Sequence, residues 1–263
     1  MSNGFPSLLT DELRAETEFN LEQFTRLTRI EPRSFWFKAR NNLIVSALKK
    51  FFPDAQSFLE VGCGTGYVLS GVAAHCQHLS LNGSELSDKG LKFAAERVPH
   101  AKFFQMDALN IPFDKEFDVV GTFDVVEHIE QDTVALAEIR KAIKHGGGIM
   151  VAVPQHMWLW SERDSLAGHF RRYTKHELAS KLGSVGFEVI WSTGFMAPLV
   201  PLMIASKMLV KYKSNEQVGN DLTPNPLVER VFDTVLNLEA RAIDAGVSMP
   251  IGGSLLMLAT RKN

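Results

Sequence analysis

Three glycines at alternate positions, Gly62, Gly64 and Gly66, follow the apolar run Phe58-Leu59-Glu60-Val61 and lead into Tyr67-Val68-Leu69-Ser70. Strand, glycine turn and helix in that order are the setting of a nucleotide-cofactor loop. The chain must turn sharply there, and a Cβ would hold a ligand off the backbone amides. Glu60 and the Gly-x-Gly-x-Gly spacing set this loop apart from the dinucleotide pattern Gly-x-Gly-x-x-Gly. A carboxylate two positions before the first glycine repels a pyrophosphate and attracts a cationic group. Glu85, in Gly83-Ser84-Glu85-Leu86-Ser87, stands where an acidic side chain can accept from both ribose hydroxyls. Asp107, in Gln105-Met106-Asp107-Ala108, is placed to accept from an adenine amino group; capping a strand-end turn is its other reading.

Candidate chemistry of a second kind follows. His128, in Val125-Val126-Glu127-His128, comes after the fourth apolar run and is the candidate catalytic base, with a structural bond to a backbone carbonyl as the alternative. Glu127 reads as the residue that holds that turn. In the segment Trp158 to Tyr173, the candidate acceptor-binding residues are Trp160, His169, Arg171, Arg172 and Tyr173, because two guanidiniums among aromatics can clamp a phosphate or carboxylate. An ion pair with Asp164 or Glu162 that only fixes the loop is the competing reading. Trp36 and Arg40, one helical turn apart, either close over the cofactor or stack on an apolar helix face. Two cysteines, Cys63 and Cys76, without metal-ligand spacing give no sign of a metal.

These residues need a frame, and the apolar pattern supplies one. Seven runs read as strands: Ser57–Val61, Leu79–Gly83, Lys102–Met106, Phe117–Thr122, Gly148–Val153, Glu188–Ser192 and Ser254–Thr260. Helical-period segments alternate with them, the signature of βαβ units and a parallel sheet. Leu136, Ile139 and Ile143 mark one helical face; Leu178, Leu182 and Val185 mark another, opened by a Thr174/Glu177 capping box and stopped by Gly186. One domain over 1–263 is expected, with an N-terminal helical cap at about 10–51, a core at about 57–192 and 254–260, and a helical insertion at about 193–253. In the insertion, Asn225 and Pro226 open a helix whose Leu227, Val231, Val235, Leu238 and Ala242 form one predicted apolar stripe. The cap and the insertion either roof the open end of the sheet or pad the core.

In order along the chain, Glu60-Val61-Gly62-Cys63-Gly64-Thr65-Gly66, Gly83 to Ser87, Met106-Asp107-Ala108, Phe117-Asp118-Val119-Val120, Val126-Glu127-His128-Ile129 and Lys144-His145-Gly146-Gly147-Gly148 resemble the class I S-adenosylmethionine-dependent methyltransferases. The likeness is greatest to a bacterial group of type 11-like methyltransferases sharing Phe35 to Asn41, Trp158 to Ser161 and Gly168 to Tyr173. The resemblance implies a Rossmann-like three-layer α/β sandwich with sheet order 3-2-1-4-5-7-6 and an antiparallel last strand. It also implies S-adenosylmethionine as cofactor, S-adenosylhomocysteine as product, and a cofactor seat across the carboxyl ends of strands one to four. The expected cofactor residues are Glu60, Gly62, Cys63, Gly64, Gly66, Glu85, Leu86, Met106, Asp107, Ala108, Phe123 and Asp124, with Trp36 and Arg40 from the cap. Where the family usually has Pro in a Lys-Pro-Gly-Gly turn, this chain has His145, a change not expected to touch function.

The whole chain narrows the partner. With 263 residues and 45% hydrophobic content it can bury a full core. Lys and Arg number 28 against 30 for Asp and Glu, a formal charge of −2 that offers a nucleic-acid backbone no broad attraction. No basic segment followed by an apolar core opens the chain, and a reducing cytoplasm is expected. Phe195 to Val210 is almost wholly apolar but shorter than the ~20 residues a span needs. It reads as a helix covering a pocket or as a surface that meets lipid. With Phe195, Leu199, Leu202, Met203, Ile204 and Met208 beside the arginine pair, the expected reaction is methylation of a small molecule, apolar or lipid-linked with an anionic head. A polar sugar, a natural product, or a non-catalytic module that only binds the cofactor are the alternatives; oligomeric state stays open.

Overall fold

The computed structural model describes residues 4–9, 21–210 and 226–262. Two helices, α1 (Leu21–Ile30) and α2 (Phe35–Phe51), precede β1 (Ser57–Val61), α3 (Tyr67–His75), β2 (Ser80–Glu85), α4 (Asp88–Arg97), β3 (Lys102–Gln105) and β4 (Phe117–Phe123). Then come a 3-10 turn at Val126–His128, α5 (Asp132–Ala142), β5 (Ile143–Pro154), α6 (Glu162–Leu166), α7 (Lys175–Ser184), β6 (Phe187–Phe195), α8 (Val200–Val210), α9 (Pro226–Asp244) and β7 (Ser254–Arg261). The seven strands form one sheet in the order β3-β2-β1-β4-β5-β7-β6. β7 is antiparallel to both its neighbours, so β6 points the same way as β1 to β5.

Alternation along the strands builds two cores. Phe58, Val119, Met150, Ala152, Leu256 and Leu258 face α2, α3 and α4, whereas Leu59, Val120, Ile149, Val151, Leu255 and Met257 face α5 and α7. Period-two patterning with both faces covered gives the three layers. Residues before α1 add an edge: Ser7 bridges Gln105 in parallel, and the Leu8 N–H donates to the Gln105 carbonyl at 2.8 Å.

Three local readings need correction. Ile143, read as part of a helical face, opens β5; α5 ends at Ala142, and Ile143 pairs with Phe117. The Lys144 to Gly148 turn lies inside that strand. There a Cβ on Gly147 would meet the Asp118 carbonyl at 2.5 Å, so a close backbone approach sets the glycine. β2 runs on to Glu85, which makes that carboxylate the strand's last residue.

The third correction concerns α9. Leu227, Val231 and Leu238 of the predicted stripe are 68%, 53% and 58% exposed, whereas Leu236, Glu239 and Ile243 are buried. α9 carries apolar residues on two faces, and its anchors decide which one goes inside. Phe232 packs on Phe35 at 5.1 Å, Glu229 accepts from the Phe35 N–H at 3.0 Å, and Asp244 accepts from Ser46 at 2.6 Å. Glu239 accepts from the N–H groups of Met196 and Ala197 at 2.8 and 2.7 Å, tying α9 to the turn that leads into α8. Asn225 lies outside the described residues.

Candidate functional site

β1 ends at Val61, and the chain turns through Gly62, Gly64 and Gly66 with φ of 74°, 53° and 73°. L side chains avoid that left-handed region. At Gly62 a Cβ would also meet Val125 Cγ2 at 2.4 Å, which locks the loop to the turn after β4. At Gly64 nothing among the described residues lies within 4 Å of where a Cβ would stand, which leaves space over the loop for a ligand. The N–H groups of Gly62 and Cys63 both donate to the Ser84 carbonyl at 2.8 Å. Gly64 donates to Glu85 Oε2 at 2.9 Å, while Leu86 donates to Oε1 at 2.8 Å. Burial pushes the Glu85 carboxyl up in spite of these bonds.

Glu60, the acid before the loop, is 3% exposed and its Oε2 has no hydrogen-bond partner among the described residues. Burial pushes its pKa up to about 8, against the pull of the nearby Arg40 guanidinium. A buried carboxylate in that condition suits a cationic group brought in by a ligand. Arg40 itself is ion-paired with Asp124, which has φ of 56°, and its guanidinium lies over the Trp36 ring at 4.7 Å. Asp107 Oδ1 accepts from the Leu109 N–H at 2.9 Å, the strand-end turn.

A network not foreseen from the sequence holds the loop from the cap side. The Thr65 hydroxyl meets both carboxylate oxygens of Glu31 at 2.6 and 2.7 Å. Arg97 Nη1 donates to Glu31 Oε2 at 2.8 Å and to the Thr65 carbonyl at 3.1 Å. Three distant stretches thus converge on one glycine turn.

The face beyond β4 and β5 is built on two buried aspartates. Asp164, 2% exposed, accepts from Arg172 Nε and Nη2 at 2.8 and 3.0 Å, meets His169 Nδ1 at 3.0 Å, and forms a capping box with Ser161. These partners hold its carboxyl well below the usual range, against the upward push of burial. Asp132 meets Arg171, Lys181 and the Tyr173 hydroxyl, each at 2.7 Å. Trp160 spends its indole N–H on Ser165 at 3.2 Å. His128 and His169 lie edge to face with centroids 4.5 Å apart, and burial and His169 hold His128 below its usual range. Glu127 is fully buried; its backbone carbonyl accepts from the Phe170 N–H at 2.8 Å, but neither carboxylate oxygen has a partner among the described residues.

Beside this face lies α8. Because β6 runs parallel to β1–β5, α8 starts at the carboxyl edge of the sheet, where the glycine loop also opens. Its Lys207 Nζ donates to the Trp158 carbonyl at 2.9 Å. Leu202 and Ile204 are 53% and 40% exposed, as are Met157 and Trp158 at 51% and 47%.

A family described as "Methyltransferase domain" matches residues 59–151, the stretch from β1 through the glycine loop and β4 into β5. A probable S-adenosylmethionine-dependent methyltransferase of Mycobacterium tuberculosis is 26% identical over 60% of this chain and 57% of its own length. Over residues 59–151 the chain is thus similar to the S-adenosylmethionine-dependent methyltransferases. It spans somewhat more than half the length of that mycobacterial methyltransferase. The 2-methyl-6-phytyl-1,4-hydroquinone methyltransferase of Synechocystis is 32% identical over 43% of this chain and 34% of its own. In fold, the chain is similar to phosphoethanolamine N-methyltransferase 2 of Haemonchus contortus, with TM-score 0.62 and 18% identity over 95% of this chain and 59% of that one.

Within the matched stretch the structure gathers Glu60, Gly62, Cys63, Gly64, Gly66, Glu85 and Leu86 around one turn, with Met106 joined to it by an N–H bond to the Glu85 carbonyl at 3.1 Å. Ala108 sits in the turn after β3, and Phe123 ends β4 just before Asp124. Trp36 and Arg40 stack on each other, and Arg40 also reaches Asp124. Of the acceptor set, Arg171, Arg172, Tyr173, Trp160 and His169 are all bonded within their own loop and its neighbours, and His169 also packs edge to face on His128. Glu31, Arg97, Asp132 and Asp164 carry much of the site's order. Of these the sequence marked only Asp164, as an ion-pair partner.

Proposed function

We propose that the chain transfers the methyl group of S-adenosylmethionine to a small apolar acceptor that arrives over α8. The observation that carries the acceptor class is α8 itself, an apolar helix that keeps Leu202 and Ile204 in solvent and is tied to the Trp158 loop. Exposed apolar surface at the edge of the sheet where the cofactor loop also opens marks a place where apolar ligands are met. The Synechocystis relative, named for a phytyl hydroquinone acceptor, points the same way. An anionic head finds less support, since both arginines expected to clamp it are held by Asp132 and Asp164.

The residues present fit the cofactor. The unpartnered Oε2 of Glu60 would take its amino group, the open side of Gly64 its backbone-hugging part, and Glu85 its ribose. The bound cofactor supplies a methyl group on a sulfonium that leaves readily. What the protein adds is alignment of the acceptor with that methyl, worth about 7 kcal/mol or more when in-line approach is enforced. His128, on the turn after β4, stands beside the acceptor face; His128→Ala is expected to lower turnover by about 10²-fold with S-adenosylhomocysteine affinity unchanged.

The reading is tested by giving the pure protein methyl-labelled S-adenosylmethionine and a cell extract, then partitioning the products. Label in the organic phase supports the apolar acceptor. Label confined to water would assign α8 to packing and send the search to polar sugars or natural products. Thermal stabilisation by S-adenosylhomocysteine but not by NAD checks the cofactor independently.

A further inference from the structure

Glu127, His128 and His169 each bring one potential ligand atom within 4.8 Å of the other two. Glu127 is the unusual member. It is 0% exposed, both its carboxylate oxygens lack a hydrogen-bond partner among the described residues, and it faces the two imidazoles. An ionised carboxylate buried without a partner is costly, so such a group either stays protonated or waits for a cation. The nearby charges already have partners: Asp124 is paired with Arg40, and Asp164 with Arg172.

The two histidines are oriented as metal ligands are. His169 Nδ1 lies 3.0 Å from an Asp164 oxygen, and Asp164 is itself fixed by Arg172 and the Ser161 cap. Donation from Nδ1–H to that carboxylate leaves the Nε2 lone pair for a cation. His128 lies within reach of the Ala167 backbone, which favours its protonated form and can anchor its second nitrogen in the same manner. A carboxylate or carbonyl behind each imidazole is the support that metal-bound histidines usually have.

We propose that Glu127, His128 and His169 form a binding site for a divalent transition-metal ion of the zinc type. Two imidazoles and one carboxylate suit zinc or its first-row neighbours better than calcium or magnesium. Ligand atoms around a tetrahedral ion stand roughly 3.4 Å apart, so the side chains draw in on binding, His128 from the solvent side. Three protein ligands leave a fourth position open on the acceptor face. If the proposed methyl transfer holds, a hydroxyl acceptor would occupy that position, where the ion lowers its pKa. Its proton leaves to solvent, its oxygen lone pair forms the bond to the methyl carbon, and the sulfur–carbon bond breaks with its electron pair going to sulfur. The sequence hid this site because His169 comes from a different loop.

The test is titration of the chelator-treated full chain with Co²⁺ and with Zn²⁺, read by Co²⁺ absorption and by calorimetry, for wild type, Glu127→Gln, His128→Asn and His169→Asn. One equivalent of tightly bound ion with visible cobalt bands, weakened at least tenfold in each variant, is the expected result. No stoichiometric binding by wild type, or binding that all three variants retain, overturns the proposal. S-adenosylhomocysteine stabilisation measured on the same samples reports folding and the cofactor reading separately. If that stabilisation is intact while the metal is not bound, the metal site alone has failed.

Discussion

At the scale of single residues, the carboxyl of Glu60 governs what cofactor binding should look like. With its pKa pushed up to about 8 by burial, it is mostly protonated at pH 7 in the protein alone. An amino group placed against it favours the charged form, so the proton must leave. Binding of S-adenosylhomocysteine at pH 7 is expected to release about one proton, seen as a dependence of binding enthalpy on buffer ionisation enthalpy. Glu60→Gln should remove the release and weaken affinity by about tenfold or more, the loss of a charge-assisted bond. The same shift sets a sign for stability. Between the ordinary carboxyl value of 4.5 and about 8 the folded chain keeps a proton that the unfolded chain has lost. This group's contribution is therefore complete below that window and is lost as pH rises through it. In melts without ligand, Glu60→Gln should flatten the fall in Tm between pH 5 and 8; an unchanged slope would assign the fall to another group.

At the scale of elements, the loop from Met157 to Tyr173 and helix α8 together decide how an acceptor is received. Asp164 holds the loop, its carboxyl lies below the usual range, and its contribution is therefore present at neutral pH and lost as pH falls below about 4. Asp164→Asn breaks a buried pair with Arg172 and is expected to cost about 3 kcal/mol, measured by denaturant melts. It should raise the acceptor KM while leaving S-adenosylhomocysteine affinity near wild type. On α8, Leu202→Asp with Ile204→Asp should change stability by less than about 0.5 kcal/mol, because both side chains are in solvent already. If α8 receives apolar acceptors, the pair also raises the KM for them; unchanged kinetics would remove α8 from the path. Local pattern revealed the strands and the Thr174/Glu177 box, since period and capping chemistry are written in neighbouring residues. It misjudged α9, because apolar side chains occur on two of its faces and the choice was made by Phe35, Met196 and Ala197 from elsewhere. Ile143 was misjudged for a related reason: strand pairing with Phe117 outweighed a helical spacing that stops one residue earlier.

At the scale of the whole molecule, the cap formed by α1 and α2 is latched to the sheet at two places that sequence patterns could not show. One is Arg40 on Asp124, across 84 residues; the other is Arg97 on Glu31, across 66, with Thr65 between them. The glycine loop was legible because its glycines, strand and helix are contiguous. The latches were not, because each joins residues that only the folded sheet brings together. Both end on elements that the cofactor is expected to touch, so cap closure and cofactor binding should share free energy. Glu31 is 6% exposed at its side chain and Arg97 19%, so losing this partly buried pair is expected to cost about 2 kcal/mol. Arg97→Ala should therefore lower Tm by about 4–8 °C for a chain of this size. Its decisive reading is hydrogen exchange: amides of α1 and α2 should exchange faster in the variant, and S-adenosylhomocysteine should restore part of their protection. Equal exchange in α1 and α2 with and without the ligand, in both proteins, would make the cap a passive cover and leave the glycine loop to bind on its own.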